Sequence, residues 1–287
     1  MLYKLTKPSI PLILGIILGL SLFFTLRWWG FLVIFPWMGF SISLGILLIG
    51  ILKKRNRLIG RKISALMILP CLFLFVPIVN NENFQLEGIV LIVLAGFFSK
   101  GFIHWAIAKI FGPLIWRRAF CGWACWTAAV LDWLPIKNHK NNVERPIRFI
   151  RYIALTLSVV IPLYMVVVLS FNPWTGYINI EEMKWMFLSN VLYYLIAIPM
   201  AFALSDRRAF CKYVCPASLV MKPASAVGLL KVRPSKWKKC IECGSCSKQC
   251  PMGIDVMNYM KNNEPVSSTE CILCQDCKIV CPVGKIR

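Results

Sequence analysis

Apolar residues along this chain come in blocks, with no period-two alternation over most of its length. Stretches of about 20 mostly apolar residues, enough to cross a hydrocarbon core of about 30 Å as helix, run Ser9–Leu26, Gly30–Leu52, Ile63–Val79, Glu87–Trp105, Ile150–Phe171 and Phe187–Leu204. Six membrane spans are therefore predicted. The fourth is interrupted by Lys100, His104 and Lys109, and Gly112-Pro113 breaks the apolar run beyond it, so 106–116 reads as an interfacial or re-entrant helix. After about residue 230 the apolar blocks stop and short, cysteine-rich loops take over. The pattern predicts three regions: N-terminal spans over 1–85, a membrane core over 86–230 and a peripheral module over 231–287.

Composition agrees. The 287 residues are 58% hydrophobic and only 16% charged, with mean hydropathy +0.67, a balance ordinary soluble domains do not have. The net charge of +21 is concentrated in alternate loops. Lys4 and Lys7, then Lys53, Lys54, Arg55, Arg57, Arg61 and Lys62, then Lys137, Lys140, Arg145, Arg148 and Arg151 mark one side; Arg27, Glu82, Glu181 and Glu182 mark the other. By the positive-inside rule the basic loops are cytoplasmic. With six spans both termini then face the cytoplasm of a prokaryotic inner membrane, and the first span reads as an uncleaved anchor. Much of the basic excess is topogenic charge and attraction to anionic lipid headgroups; nothing patterns it for nucleic acid.

The chemistry is carried by cysteine. Cys240-Ile-Glu-Cys243-Gly-Ser-Cys246-Ser-Lys-Gln-Cys250-Pro251 recurs as Cys271-Ile-Leu-Cys274-Gln-Asp-Cys277-Lys-Ile-Val-Cys281-Pro282. Each run is C-x2-C-x2-C-x3-C-P, in which three thiolates hold one iron–sulfur cube and the fourth crosses to its neighbour. Two [4Fe–4S] clusters are expected, one on Cys240, Cys243, Cys246 and Cys281 and the other on Cys271, Cys274, Cys277 and Cys250, in an α+β bacterial-type two-cluster ferredoxin. Structural zinc would leave the third cysteine and the repeated x3-C-P without a purpose.

A second repeat lies upstream: Arg117-Arg118-Ala-Phe-Cys121-Gly-Trp-Ala-Cys125 and Arg207-Arg208-Ala-Phe-Cys211-Lys-Tyr-Val-Cys215. Its arginines read as markers of the membrane boundary. If the two copies face each other, Cys121, Cys125, Cys211 and Cys215 could bind a metal, tune a cluster or cycle between dithiol and disulfide. Cys71, alone in an apolar span, reads as packing. Lys100 and His104, ionisable at membrane depth and four residues apart, are candidates to contact a quinone. With only His104 and His139, no haem is expected. No dinucleotide fingerprint, P-loop or serine elbow is present, so no catalytic residue is assigned.

From about Phe98 onward the order of elements resembles the NapH family of membrane ferredoxins, and more broadly the NosR, MauN and CcoG polyferredoxins. The resemblance rests on the two Phe-Cys-x3-Cys motifs, Asn172-Pro173 and the two C-terminal cysteine runs. Trp126 stands where the family has proline. The resemblance implies a relay of electrons between the quinone pool or a cytoplasmic donor and a partner oxidoreductase, as a quinol-dehydrogenase subunit; the MauN and CcoG relatives imply an alternative role in maturing another metalloenzyme.

Overall fold

The computed structural model describes residues 2–53, 56–80, 83–94, 100–136, 149–169 and 178–287. Helices α1 (Leu2–Leu26) and α2 (Phe31–Ile51) form a hairpin. Their closeness depends on glycine: a Cβ on Gly15 would meet Phe35 O at 2.4 Å, and one on Gly39 would meet Pro11 O at 2.5 Å. Lipid supplies no hydrophobic drive between helices, so small residues that let backbones touch substitute for it. The Leu12 N–H donating to Ser43 Oγ at 3.1 Å adds a polar tie. Helix α3 (Arg57–Val79) packs on α2, passes through a π-helical turn at Cys71–Phe75, and accepts the Trp37 indole N–H at Met67 O, 2.8 Å.

Then the regular pattern fails. The expected fourth span is described in two pieces, α4 (Leu86–Leu94) and α5 (Phe102–Trp116), with residues 95–99 outside the described set. Helix α5 itself contains a π-helical stretch, Ile107–Phe111, around Lys109. Helices α6 (Ile150–Val167) and α7 (Ile178–Ala203) complete the bundle, α4 packing chiefly on α6. Among the described residues five helices are long and apolar enough to cross a membrane, against six expected, and α5 is shorter. Lys100, His104 and Lys109, the polar residues that weakened the fourth span in the sequence, lie on the helical stretch that runs from Lys100 through Phe111. Large apolar side chains on the outside of α1, α6 and α7, such as Phe24, Leu163 and Leu195, are exposed, as a lipid-facing surface requires.

The module after Leu230 is built from loops and the short helices Ser245–Gln249, Val256–Lys261 and Asp276–Val280. The α+β expectation is not met: the described residues contain no strand, only an isolated antiparallel bridge, Pro234 with Ile286. Backbone hydrogen bonds Ser235 N to Lys285 O (2.6 Å) and Arg287 N to Arg233 O (2.8 Å) close the module's ends there.

Candidate iron–sulfur centre

The two C-terminal runs fold alike. In each, the residue before the second cysteine and the one after it take positive φ: Glu242 (54°) and Gly244 (69°) in the first, Leu273 (47°) and Gln275 (64°) in the second. Left-handed residues either side of the middle cysteine curl the chain so that three sulfurs converge. A five-residue helix comes next, and the last cysteine ends it in extended conformation with ψ 115° in both copies. Two hollows result. Cys240, Cys243, Cys246 and Cys281 line one; Cys250, Cys271, Cys274 and Cys277 line the other.

These hollows suit the expected group. Among the described residues no three of His, Cys, Asp and Glu stand close enough to share one metal ion, yet four sulfurs surround each hollow and the other lining side chains are mostly apolar, such as Met257 and Met260 in the first and Val256 and Val266 in the second. Sulfur-only donors around a space wider than one ion fit a cubane, not zinc.

The module is fastened to the bundle by buried arginines, which the sequence had presented as boundary markers. Arg117 donates to three carbonyls in one turn, Val266 (2.7 Å), Ser267 (2.6 Å) and Ser268 (2.9 Å). Arg118 pairs with Glu270, which also meets Arg151 at 3.0 Å and Lys222 at 2.7 Å. Burial alone would raise the Glu270 carboxyl; Arg118, Lys222 and Arg151 instead hold it at about 2. Beneath the second run, Asp132 receives Arg208 at 2.6 and 2.9 Å and Arg61 at 2.7 Å, and against its own burial is held at about 2. Arg61 reaches Asp276 as well, at 3.4 Å. Trp123 Nε1 donates to Leu273 O at 3.1 Å, and a Cβ on Gly122 would meet Ile272 O at 2.4 Å. The cysteine loop 271–274 is pressed directly onto the first upstream repeat.

Both upstream repeats form the same turn. The N–H groups of Ala124 and Cys125 converge on Phe120 O, and those of Val214 and Cys215 on Phe210 O, all at 2.9 Å. Trp126 stands where the second copy has Pro216; a short helix begins at Trp126 in the first copy and one place later, at Ala217, in the second, and the Trp126 indole donates to Asn190 at 2.8 Å. The two copies are neighbours: the Arg208 guanidinium of the second donates to Cys121 O of the first at 2.9 Å. Cys71 is elsewhere, buried in α3.

Of the expected quinone pair, His104 alone has its side chain among the described residues. His104 is buried, stacked on Phe35 (5.1 Å between ring centres) and against Phe84 (5.3 Å), and the Lys100 side chain lies outside the described residues. An apolar cleft of about 270 Å³ opens instead between α4, α6 and α7, lined in part by Glu87, Ser158, Tyr193, Phe210 and Pro216. Tyr193 donates to Glu87 Oε1 at 2.8 Å, and Glu87 Oε2 is buried with no partner among the described residues. Glu87 could have been found by the same rule that singled out Lys100: an ionisable group in an apolar span.

Comparison with known proteins agrees with the site. Residues 239–286 match a family described as a 4Fe-4S dicluster domain, and 221–255 match a second family of the same description. Residues 100–137 and 191–236, which contain the two upstream repeats, match a family described as a 4Fe-4S binding domain. Among curated proteins, "Putative electron transport protein YccM" of Escherichia coli is 24% identical over 164 residues, 52% of this chain and 46% of that protein. "Uncharacterized protein MJ0750" of Methanocaldococcus jannaschii is 26% identical over 200 residues, 62% of this chain and 79% of that one. The chain thus spans under half the length of the first relative. No solved structure matches. Fold, donor set and family matches define an iron–sulfur protein with apolar helices of membrane length.

Proposed function

We propose that this chain is a membrane-held electron relay, joining a hydroquinone in the bilayer to a partner oxidoreductase through two [4Fe–4S] clusters on its cytoplasmic face. The observation that carries the reading is the seating of the module. Its Cys271–Cys274 loop rests on the bundle, while the other hollow is turned outward, with Cys243 exposed. One hollow adjoins the helical bundle and the other is turned away from it, which supports the order a relay needs. The similarity to YccM, by its name an electron transport protein, supports the same reading.

The clusters, when bound, supply one-electron steps. The chain's own residues supply a place for the hydroquinone: the α4–α6–α7 cleft is apolar enough for a ring and isoprenoid tail, and Glu87 with Tyr193 lies on its wall. Oxidation of a hydroquinone there would release two protons, one to the Glu87 carboxylate and one to water, and two electrons, for which clusters held by the ferredoxin cysteines would be the acceptors. The loop charges favour a location in the inner membrane with both termini in the cytoplasm.

Anaerobically purified protein mixed with duroquinol should lose visible iron–sulfur absorbance within the mixing experiment, and Glu87→Gln should slow that loss by about 10²-fold, the usual worth of a positioned base. Protein with a full complement of iron that duroquinol leaves oxidised, under conditions where dithionite reduces it, would remove the quinone part of the reading.

A further inference from the structure

We infer that the exposed rim of the outer ferredoxin hollow, Lys236-Trp237-Lys238-Lys239 with Ile241 and Lys248, docks a small soluble one-electron carrier by a carboxylate-rich face of that carrier. The inference rests on the relay reading above and gives the partner a chemistry and a landing place.

The two hollows differ in access. Cys271, Cys274 and Cys277 are buried, whereas Cys243 is exposed and Cys240 and Cys281 are half-buried. An electron bound for a soluble partner therefore leaves past the Cys240–Cys246 loop. The segment leading into that loop carries Trp237, 95% exposed, followed by Ile241, 58% exposed on the lining of the hollow. Tryptophan supplies large, rigid contact area and is enriched among the residues that anchor interfaces.

Around these apolar side chains stand four ammonium groups. Lys236, Lys238, Lys239 and Lys248 are exposed, and none forms a salt bridge among the described residues. Two of them sit on the lip of the hollow. Lys238 Nζ lies 2.9 Å from where a Cβ on Gly284 would be, next to Val283 of the lining, and Lys248 Cε lies 4.0 Å from where one on Gly244 would be. Lys236 is held near by its neighbour Ser235, whose N–H donates to the carbonyl of Lys285, itself a lining residue, at 2.6 Å. The loop's own carboxylate does not offset them, because Glu242 is paired with Lys261 at 2.8 Å.

An apolar centre inside a ring of unpaired like charges is the anatomy of a transient interface: the ring steers the encounter and the centre fixes it. The ring is positive, so the complementary face is acidic, and a basic carrier is repelled. Anionic headgroups are the competing acidic surface, but the module meets the bundle through its other loop, Cys271–Cys274, with this rim around the hollow that is turned away. In the docked pair one electron passes to the carrier, which is the oxidant, with no bond made or broken.

The test is binding of an acidic flavodoxin to the full-length, iron-replete protein in phosphatidylcholine nanodiscs, followed anaerobically by biolayer interferometry. Affinity should fall by about tenfold or more from low to physiological salt, where exposed charges are screened beyond about 8 Å. Changing Lys236, Lys238 and Lys239 together to Glu should weaken low-salt binding by about 10²-fold. Trp237→Ala, a change at a side chain that supports no packing, should weaken binding at low and high salt alike. Salt-independent binding, equal binding by the triple variant, or no binding to iron-replete protein would each overturn the docking surface. So would binding that disappears when phosphatidylglycerol is added to the disc, which would assign the lysines to headgroups. The relay reading fails on a different result, a chain isolated anaerobically without iron or sulfide.

Discussion

Arg117 and Arg118 are neighbours with different duties. Arg117, at φ 53°, spends its guanidinium on backbone carbonyls of the module, while Arg118 pairs with the Glu270 carboxylate. In the sequence both looked like interfacial charges, because a pair of arginines after an apolar run says nothing about which carboxylates and carbonyls will arrive from 150 residues away. Asp132 and Glu270 were invisible for the same reason. Gly122 was more legible: it stands where the second repeat has Lys212, and its structural cause is the Ile272 carbonyl 2.4 Å from where a Cβ would be. Gly122→Ala should loosen the module by about 1–3 kcal/mol, the range for forced overpacking. Faster hydrogen exchange in 266–274 would register it; unchanged exchange would show that the contact yields freely.

At the scale of elements, repetition was the readable part. Both cysteine runs and both upstream motifs fold in matched pairs, since spacing fixes turns locally. The π-helical stretch beyond the fourth apolar block was partly readable, from Lys100, His104 and Lys109 breaking the apolar pattern, but the packing of α4 against α6 is encoded by no local pattern. The two ferredoxin loops also differ instructively. Gly244 occupies its left-handed position at no steric cost, whereas Gln275 at the equivalent place is held at φ 64°, a conformation costing about 1–2 kcal/mol for a residue with a Cβ. Gln275→Gly, set against glycine's larger unfolded entropy, should stabilise that loop by about 0.5–1 kcal/mol. A slower release of iron to a chelator would check it, and faster release would show that Gln275 makes a compensating contact.

For the whole molecule, the decisive feature is how the module is moored. Asp132 and Glu270 have folded-state values of about 2 against about 4 when unfolded. A lowered carboxylate stabilises the folded form above its unfolded value and loses that contribution as pH falls toward the folded one. Mooring should therefore be indifferent to pH from about 5 upward and weaken between about 4 and 2. Hydrogen exchange at 264–272 followed across that window checks it, with Asp132→Asn expected to cost about 3–5 kcal/mol at neutral pH by stranding Arg61 and Arg208. The division into apolar bundle and cysteine module was plain from the chain; the mooring was not, because it is made of long-range pairs between residues that are each unremarkable in sequence.

The burial of the Cys271–Cys274 loop under Trp123 and Gly122 also orders events in the life of the chain. A carrier that delivers a preformed cluster must touch the receiving thiols, and Cys271, Cys274 and Cys277 are all buried in the folded module. Loading of that site belongs to the interval after the last helix enters the bilayer and before the C-terminal segment closes over it. Biogenesis is thereby a sequence with a deadline: a chain that seats empty is shut to the machinery that would have filled it.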